Sequence, residues 1–210
     1  MNSKNMKTQA TRRQFLGAAA AAATLTIVPR HVLGGEGVVA PSDKVNVAIV
    51  GAGGQGRTNA LNLFQEKDAQ IIAVCDVAEK TDLSGFYYGG SGGRETVKAM
   101  VEEHYGRATP GYRCAAYEDF RVMLEKEKEI DAVLCATPDH AHAVVAITAM
   151  KLGKHVYCEK PLTRTVFEAR ALAQAAREHK VATQMGNQGM AFEGNRLINE
   201  WLADGAIGPV

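Results

Sequence analysis

The clearest chemical pattern in the chain is Gly-Ala-Gly-Gly-Gln-Gly at residues 51–56, directly after an apolar run. Gly51, Gly53 and Gly56 have the spacing G-x-G-x-x-G. In this pattern the first glycine permits a tight turn, the second lets the backbone approach a diphosphate, and the third lets the next helix pack closely. Amides at the start of that helix favour an anion. The predicted diphosphate-binding residues are Gly51, Gly53, Gly54, Gln55 and Gly56.

An acidic residue stands where recognition of a ribose needs one. The apolar run 71–75 ends in Asp76, 20 residues after Gly56, and a carboxylate at this spacing typically binds ribose hydroxyls. No arginine directly follows Asp76, and a carboxylate would repel a 2′-phosphate, so NAD is favoured over NADP. The alternative for Asp76 is a helix N-cap or a solvated strand end.

Two further apolar runs, 130–136 and 155–158, also end in polar residues. Thr137 and Pro138 follow the first run, and Glu159 and Lys160 follow the second. Ligands of open α/β sheets bind beyond the carboxyl ends of the strands, so we expect these residues at one cleft. Lys160 is the candidate for proton transfer, with a surface salt bridge as the alternative.

Histidines and cysteines give no metal signature. His140 and His142 begin a predicted helix without a third ligand at metal spacing, so they are either exposed or helix N-terminal residues or part of the cleft. No pair of cysteines has C-x-x-C spacing, which indicates neither zinc nor a redox pair. We therefore expect buried free thiols at the four cysteines, Cys75, Cys114, Cys135 and Cys158.

Strands and helices alternate from Val45 onward, which predicts an α/β fold with a doubly wound parallel sheet of the Rossmann type. A strand is expected at 112–115. The glycine-rich segment 85–93 carries Tyr87 and Tyr88 and predicts a surface loop; stacking on a cofactor or a partner is the alternative. Thr165 to Glu168 has the spacing of a capping box.

The beginning of the chain predicts export. Arg12 and Arg13 precede an apolar stretch at 18–28, which is the pattern of a twin-arginine signal and is too short for a transmembrane helix. We expect the twin-arginine machinery as a partner, a periplasmic or extracellular location and no stable membrane span. An uncleaved anchor or a disordered basic arm is the alternative. The net charge is +1 without a basic run beyond the signal, so no nucleic-acid partner is indicated.

From Asp43 to Val210 the chain resembles the Gfo/Idh/MocA oxidoreductases, which are named for glucose–fructose oxidoreductase and inositol dehydrogenase. The segments that carry the resemblance are Val47–Gly56, Ala136–His142, Gly153–Pro161 and Gly205–Gly208. The resemblance implies that Lys160 helps to bind substrate and assists proton transfer at the reacting hydroxyl. It also implies that Thr137, Pro138 and His142 line the nicotinamide side of the cleft, with Glu159 beside the cofactor.

The implied activity is NAD-dependent hydride transfer on a sugar, a polyol or a sugar derivative, with a small carbohydrate as substrate. Together with the signal, Gly186–Gln188 and Glu193–Arg196 resemble the secreted branch that acts on carbohydrates. The alternatives are a glycosidase that uses NAD for transient oxidation and a non-catalytic nucleotide-binding protein.

Family members continue into a second α/β domain, an open-faced β-sheet that the chain lacks after residue 210. We therefore expect a fragment, inactive alone, with an exposed apolar edge; the full-length protein is expected to be a homo-oligomer. The predicted organisation is a signal peptide at 1–34, a linker at 35–43, an NAD(P)-binding domain at 44–186 and the start of the second domain at 187–210.

Overall fold

The computed structural model describes residues 39–209. The predicted signal peptide and the first part of the predicted linker lie outside these residues, and the predicted division into domains stays a prediction. Among the described residues, no helix has both the length and the apolar character that crossing a membrane requires.

Six parallel strands form the central sheet, and two short antiparallel strands form a separate pair. The sheet strands are β1 (Val45–Val50), β2 (Ala69–Cys75), β5 (Ala115–Tyr117), β6 (Ala132–Cys135), β7 (His155–Glu159) and β8 (Thr183–Gly186), and the separate pair is β3 (Thr81–Asp82) and β4 (Ser91–Gly92). The helices are α1 (Gly54–Leu63), α2 (Arg94–Gly106), α3 (Phe120–Lys126), α4 (Asp139–Lys151), α5 (Val166–His179) and α6 (Glu193–Ala203), with 3-10 turns at Pro41–Asp43 and Gln188–Ala191.

The order of the sheet is β5-β2-β1-β6-β7-β8. The chain leaves the central strand β1 in one direction, through β2 to β5, and then returns to add β6 on the other side. This reversal is the topological switch point of a doubly wound sheet, beside which ligands bind. The structure confirms the predicted Rossmann fold.

Both faces of the sheet are covered, because side chains alternate along each strand. Val47 and Ile49 of β1 are buried in one apolar cluster, and Ala48 and Val50 are buried in the other. The first cluster contains Ala60 of α1 with Val97 and Val101 of α2, and the second contains Leu124 of α3, Ala146 of α4 and Leu172 of α5. The near-continuous apolar pattern of β1 follows from this two-sided burial.

Local hydrogen bonds fix where two of the helices begin. The predicted capping box of α5 is present: the Thr165 hydroxyl accepts from the Glu168 amide at 3.2 Å, and the Glu168 carboxylate accepts from the Thr165 amide at 2.9 Å. At α3 the Asp119 carboxylate accepts from the Arg121 amide at 2.9 Å. Each cap satisfies amides that have no acceptor within the helix.

Two sequence-based predictions differ from the structure. The strand predicted at 112–115 lies at Ala115–Tyr117. The Cys114 amide donates to the Glu102 carboxylate at 3.1 Å, so it is not available for a hydrogen bond to β2. The segment predicted as a surface loop, 85–93, ends in β4, which pairs with β3. The four cysteines are buried and free, as predicted.

Candidate active site

A cleft of about 440 Å³ opens beyond the carboxyl ends of β1, β2, β6 and β7, and it brings together every predicted site residue except Gly56. The structure thus places the glycine loop, the end of β2 and the polar turns after β6 and β7 at one opening. This cleft is the candidate active site.

The three motif glycines are there for different reasons. Gly51 has φ +91, and a Cβ on it would lie 2.5 Å from the carbonyl carbon of Ala136. A Cβ on Gly56 would overlap the Gly51 carbonyl oxygen, which shows how closely α1 approaches the loop. A Cβ on Gly53 would meet no atom of the described chain within 4 Å. The second glycine therefore presents bare backbone to the open cleft, as close approach of a diphosphate requires.

The start of α1 complements a negative charge. Its N-cap is Gly53, so no side-chain oxygen caps the helix. The first amides of a helix have no acceptor within it, and the helix dipole adds positive potential there. The residues present therefore fit the diphosphate of a dinucleotide.

Asp76 connects the end of β2 to the glycine loop. One carboxylate oxygen accepts from the Ala52 amide at 2.6 Å, and the other accepts from the Ala78 amide at 2.8 Å. Each oxygen retains further lone-pair capacity for hydroxyl donors. Arg94 of α2 donates to the main-chain carbonyls of Asp76 and Val77 at 3.2 and 3.0 Å. Arg94 thus lies against the main chain that follows β2, and its guanidinium group is 4.0 Å from the Glu79 carboxylate.

His142 holds two turns of the cleft together. Its side chain is buried, with Nδ1 2.7 Å from the carbonyl oxygen of Pro161 and Nε2 2.8 Å from that of Thr137. The ring therefore positions the turn at Thr137–Pro138 relative to the turn at Lys160–Pro161. His140, in contrast, is exposed.

A buried carboxylate lies beneath the opening. Oε1 of Glu159, which is 4% exposed, accepts from Asn59 Nδ2 at 2.7 Å and from Gln188 Nε2 at 2.8 Å. Gln55 Nε2 lies 3.4 Å from the same oxygen. A buried carboxylate is tolerated only when such donors satisfy it. Glu159 thus ties α1 to the segment that follows β8.

Lys160 is exposed at the edge of the cleft, and its peptide bond to Pro161 is cis. Among residues 39–209, no carboxylate oxygen lies within 4.0 Å of its Nζ. In the described part of the chain the alternative of a surface salt bridge has therefore no partner. The Lys160 ammonium group is thus available at the lining of the cleft.

Cys135, His142 and Cys158 form a buried cluster whose possible ligand atoms all lie within 4.8 Å of one another. The sequence indicated no metal site. Both ring nitrogens of His142 already face carbonyl oxygens, so coordination would break one of these contacts. The Cys158 thiol lowers the pKa of Cys135, while burial opposes this shift.

Sequence reasoning missed the roles of Asn59 and Arg57, and it gave Tyr88 only as an alternative. Asn59 lies one helical turn after Gln55, and this i, i+4 spacing of two amide side chains is a signal that the sequence contains. Its partner Glu159 is 100 residues away, so the sequence does not reveal the pairing. Burial, followed by the neighbouring Tyr87, raises the pKa of Tyr88 to about 12. Its hydroxyl thus stays a donor, and it donates to Gln55 Oε1 at 3.1 Å.

Comparison with known families gives one match over most of the described chain. The family model GFO_IDH_MocA, described as an oxidoreductase family with an NAD-binding Rossmann fold, matches residues 45–187. Among solved structures, an NAD binding oxidoreductase from Klebsiella pneumoniae superposes with a TM-score of 0.54 at 27% identity, covering 79% of this chain and 40% of the other.

Three curated relatives show the range of activities among similar proteins. The levoglucosan dehydrogenase of Pseudarthrobacter phenanthrenivorans is 34% identical over 92 residues, 44% of this chain and 23% of the relative. The inositol 2-dehydrogenase of Rubrobacter xylanophilus is 28% identical over 169 residues, 80% of this chain and 42% of the relative. A glycosyl hydrolase family 109 protein of Stenotrophomonas maltophilia is 28% identical over 148 residues, 70% and 29% respectively. The chain thus spans less than half the length of each.

Proposed function

The chain belongs to the Gfo/Idh/MocA family of oxidoreductases with an NAD-binding Rossmann fold, and from this membership we propose that it is the nucleotide-binding part of an NAD-dependent enzyme that oxidises or reduces a sugar, a polyol or a sugar derivative. One observation carries the proposal: the glycine loop, Asp76 and Lys160 line a single cleft at the switch point of the sheet. The names of relatives that act on inositol and levoglucosan support the substrate class.

Each residue has a proposed task. NAD, when bound, supplies the hydride acceptor or donor. The loop amides near Gly53 hold the diphosphate, and Asp76 accepts hydrogen bonds from the adenosine ribose. His142 keeps the turns of Thr137 and Lys160 in register. Lys160 binds the reacting hydroxyl of the substrate and holds or releases its proton, which is the role that general acid–base catalysis requires.

We propose that the full-length protein has a second domain and assembles as a homo-oligomer. The support for the second domain is an apolar surface on α6, where four large side chains are between 38% and 56% exposed: Leu197, Ile198, Trp201 and Leu202. Surfaces of this kind commonly mark interfaces. We also propose export by the twin-arginine route to the periplasm or beyond, supported by Arg12 and Arg13 in front of the apolar stretch.

The test is turnover in the full-length gene product with and without Lys160. NADH formation is followed by absorbance with inositols and anhydrosugars as substrates. Replacing a general acid–base group typically lowers the rate by about 10²–10⁴-fold, and we expect Lys160→Ala to do so while NAD affinity, measured by calorimetry, stays nearly unchanged. Lys154→Ala is the matched control, because the Lys154 ammonium group donates to the Lys128 carbonyl, outside the cleft. Full activity of Lys160→Ala would exclude the proposed role.

A second candidate is favoured by the glycosyl hydrolase family 109 relatives. In such an enzyme the substrate would be oxidised transiently and reduced again, so that glycoside is cleaved without net NADH. Release of nitrophenol from nitrophenyl glycosides in the absence of NADH accumulation would favour this candidate over the dehydrogenase. Neither product, with NAD still bound, would indicate a non-catalytic nucleotide-binding protein.

A further inference from the structure

The hairpin between β2 and α2 lies directly on the glycine loop. The Gly93 amide donates to the Ala52 carbonyl at 2.8 Å. A Cβ on Gly92 would lie 3.1 Å from the Ala52 carbonyl oxygen and 3.2 Å from the Cα of Gly53. The base of the hairpin therefore touches the loop to which we assign the diphosphate.

The tip of the hairpin places an aromatic ring on the first turn of α1. A Cβ on Gly54 would overlap the ring of Tyr88, with Cε2 2.6 Å away. The absence of a side chain at Gly54 is thus what makes room for the ring. The Tyr88 hydroxyl donates to Gln55 Oε1 at 3.1 Å. Gly53, one residue before, remains open, so the ring borders the bare backbone of the loop.

Three contacts hold the tip in this position. Arg57, on α1, donates from its two terminal nitrogens to the carbonyls of Ser91 and Tyr88, both at 2.8 Å. The Leu83 amide donates to the Gly90 carbonyl at 2.7 Å, and the Leu83 side chain is buried. The main chain of Tyr88 is therefore tied to the same helix whose start its ring covers.

We propose that this hairpin, residues 81–92, is a strap across the phosphate end of the cleft, and that Tyr88 retains the dinucleotide by obstructing its passage. The proposal rests on the proposed function of the cleft in NAD binding. Tyr88 lines the same opening as Asp76 and Thr137. Gly53 lines this opening too, so the Tyr88 ring borders the space that a dinucleotide on the loop would occupy.

A strap and a simple contact differ in their effects on the rates of dinucleotide binding and release. If the ring obstructs passage, its removal accelerates both entry and exit, so the equilibrium affinity changes less than either rate. If the ring only adds a favourable contact, its removal accelerates exit alone. Rates of binding and release therefore separate the two roles.

The experiment uses the full-length protein, the fluorescence of bound NADH, and stopped-flow mixing with NADH for association and with excess NAD for release. We expect Tyr88→Ala to raise the release rate by about tenfold or more, and tenfold corresponds to about 1.4 kcal/mol. The association rate should rise as well. Tyr88→Phe keeps the ring that obstructs passage and loses only the hydroxyl. Both of its rates should therefore remain within about threefold of the wild-type rates, a difference below about 1.4 kcal/mol.

Two further variants distinguish the proposed role of Tyr88 from a general folding defect. Phe86→Ala removes an exposed ring from the same hairpin and should leave both rates unchanged. Arg57→Gln keeps the Tyr88 side chain but removes the two guanidinium hydrogen bonds that anchor the hairpin. The freed ring should obstruct passage less, so both rates should rise. Unchanged rates in Tyr88→Ala and Arg57→Gln would overturn the strap, as would faster release with unchanged association. A wild-type protein that does not bind NADH would overturn the proposed function as well.

Discussion

At the scale of single residues, the Asp76 carboxylate is held in one orientation by two backbone amides. Its two oxygens bind the amides of Ala52 and Ala78, so the carboxylate is fixed between the glycine loop and the segment after β2. A fixed carboxylate selects for hydroxyls and against a phosphate at the same position. Arg94 lies against the main chain of the same segment and donates to carbonyl oxygens.

This geometry predicts a change of cofactor preference when the charge at position 76 is removed. Asp76→Asn should weaken NAD binding by about 10- to 100-fold, because a hydrogen bond to a charged group contributes about 1.5–3 kcal/mol. The asparagine amide nitrogen also cannot accept from the Ala52 or Ala78 amide as the carboxylate does. NADP should weaken less or improve, because the repulsion between the carboxylate and the 2′-phosphate is gone. Calorimetric titration with both coenzymes measures the ratio.

The control makes the same change at the other end of the strand. Asp68 comes directly before β2, at the end of the sheet opposite to the cleft, so Asp68→Asn should leave both affinities unaltered. An unchanged preference in Asp76→Asn would show that this carboxylate does not contact the ribose.

At the scale of elements, helices α1 and α2 meet through an aromatic contact. The His104 ring of α2 stacks on Phe64 at the end of α1, with centroids 4.0 Å apart and planes 6° apart. Tyr105 meets the edge of Phe64 at 5.6 Å. Burial, followed by the charge of Arg107, lowers the pKa of His104 below its ordinary value.

That shift predicts a loss of stability in mild acid. Because the folded-state pKa of His104 is lowered, the unfolded chain binds more protons as the pH falls through the ordinary histidine range, and the free energy of unfolding falls with it. Urea denaturation at pH 7.5 and 5.5 should show a smaller drop for His104→Phe, which keeps the stacked ring, than for the wild type. His179→Gln, which removes an exposed histidine, should show the drop of the wild type; an equal drop in all three proteins would contradict the prediction.

Local features of the fold were predictable from the sequence, whereas contacts between distant residues were not. The apolar run of β1, the capping box at Thr165 and the spacing of the motif glycines are local patterns, and they predicted the strand, the start of α5 and the loop. The partners of Glu159 and the contact of Tyr88 with Gly54 join residues that are far apart along the chain. Such pairings depend on how strands and helices are arranged, and spacing does not encode them.

Glycine residues illustrate the point most directly. The motif predicts a turn at Gly51, a phosphate contact at Gly53 and close helix packing at Gly56. A Cβ would clash at Gly51 and Gly56 and would meet no atom of the described chain within 4 Å at Gly53. Gly54 was assigned to the cofactor as well, yet its lack of a side chain accommodates the Tyr88 ring. Within this motif Gly53 faces the open cleft and Gly54 faces the Tyr88 ring, and this difference is visible only in the folded chain.

At the scale of the whole molecule, the cleft is a consequence of topology. Successive strands add outward from β1 in both directions, so the crevice between the two halves opens where the glycine loop already lies. Residues from 51 to 160 thereby reach one site. The alternation of strands and helices was enough to predict this edge of the sheet, although not the hairpin that contacts the glycine loop.

Export of such a molecule has a physical requirement. The twin-arginine route carries proteins that are already folded, and NAD is made in the cytoplasm, so a dinucleotide bound before export must stay bound during passage. A strap that slows release would meet this requirement. Slow release of the dinucleotide, as proposed for the strap, is thus the property that the proposed export route requires.

Replacing Arg12 and Arg13 by lysine tests the route. The paired guanidinium groups are the recognised feature of the signal, so the full-length double variant should accumulate in the cytoplasmic fraction, folded and with NAD bound. Arg30→Lys makes the same chemical change after the apolar stretch and should be exported like the wild type. Immunoblots of cytoplasmic, periplasmic and culture fractions measure the distribution. Equal export of the double variant and the wild type would rule out the twin-arginine route, and the retention strap would then need a reason other than transport.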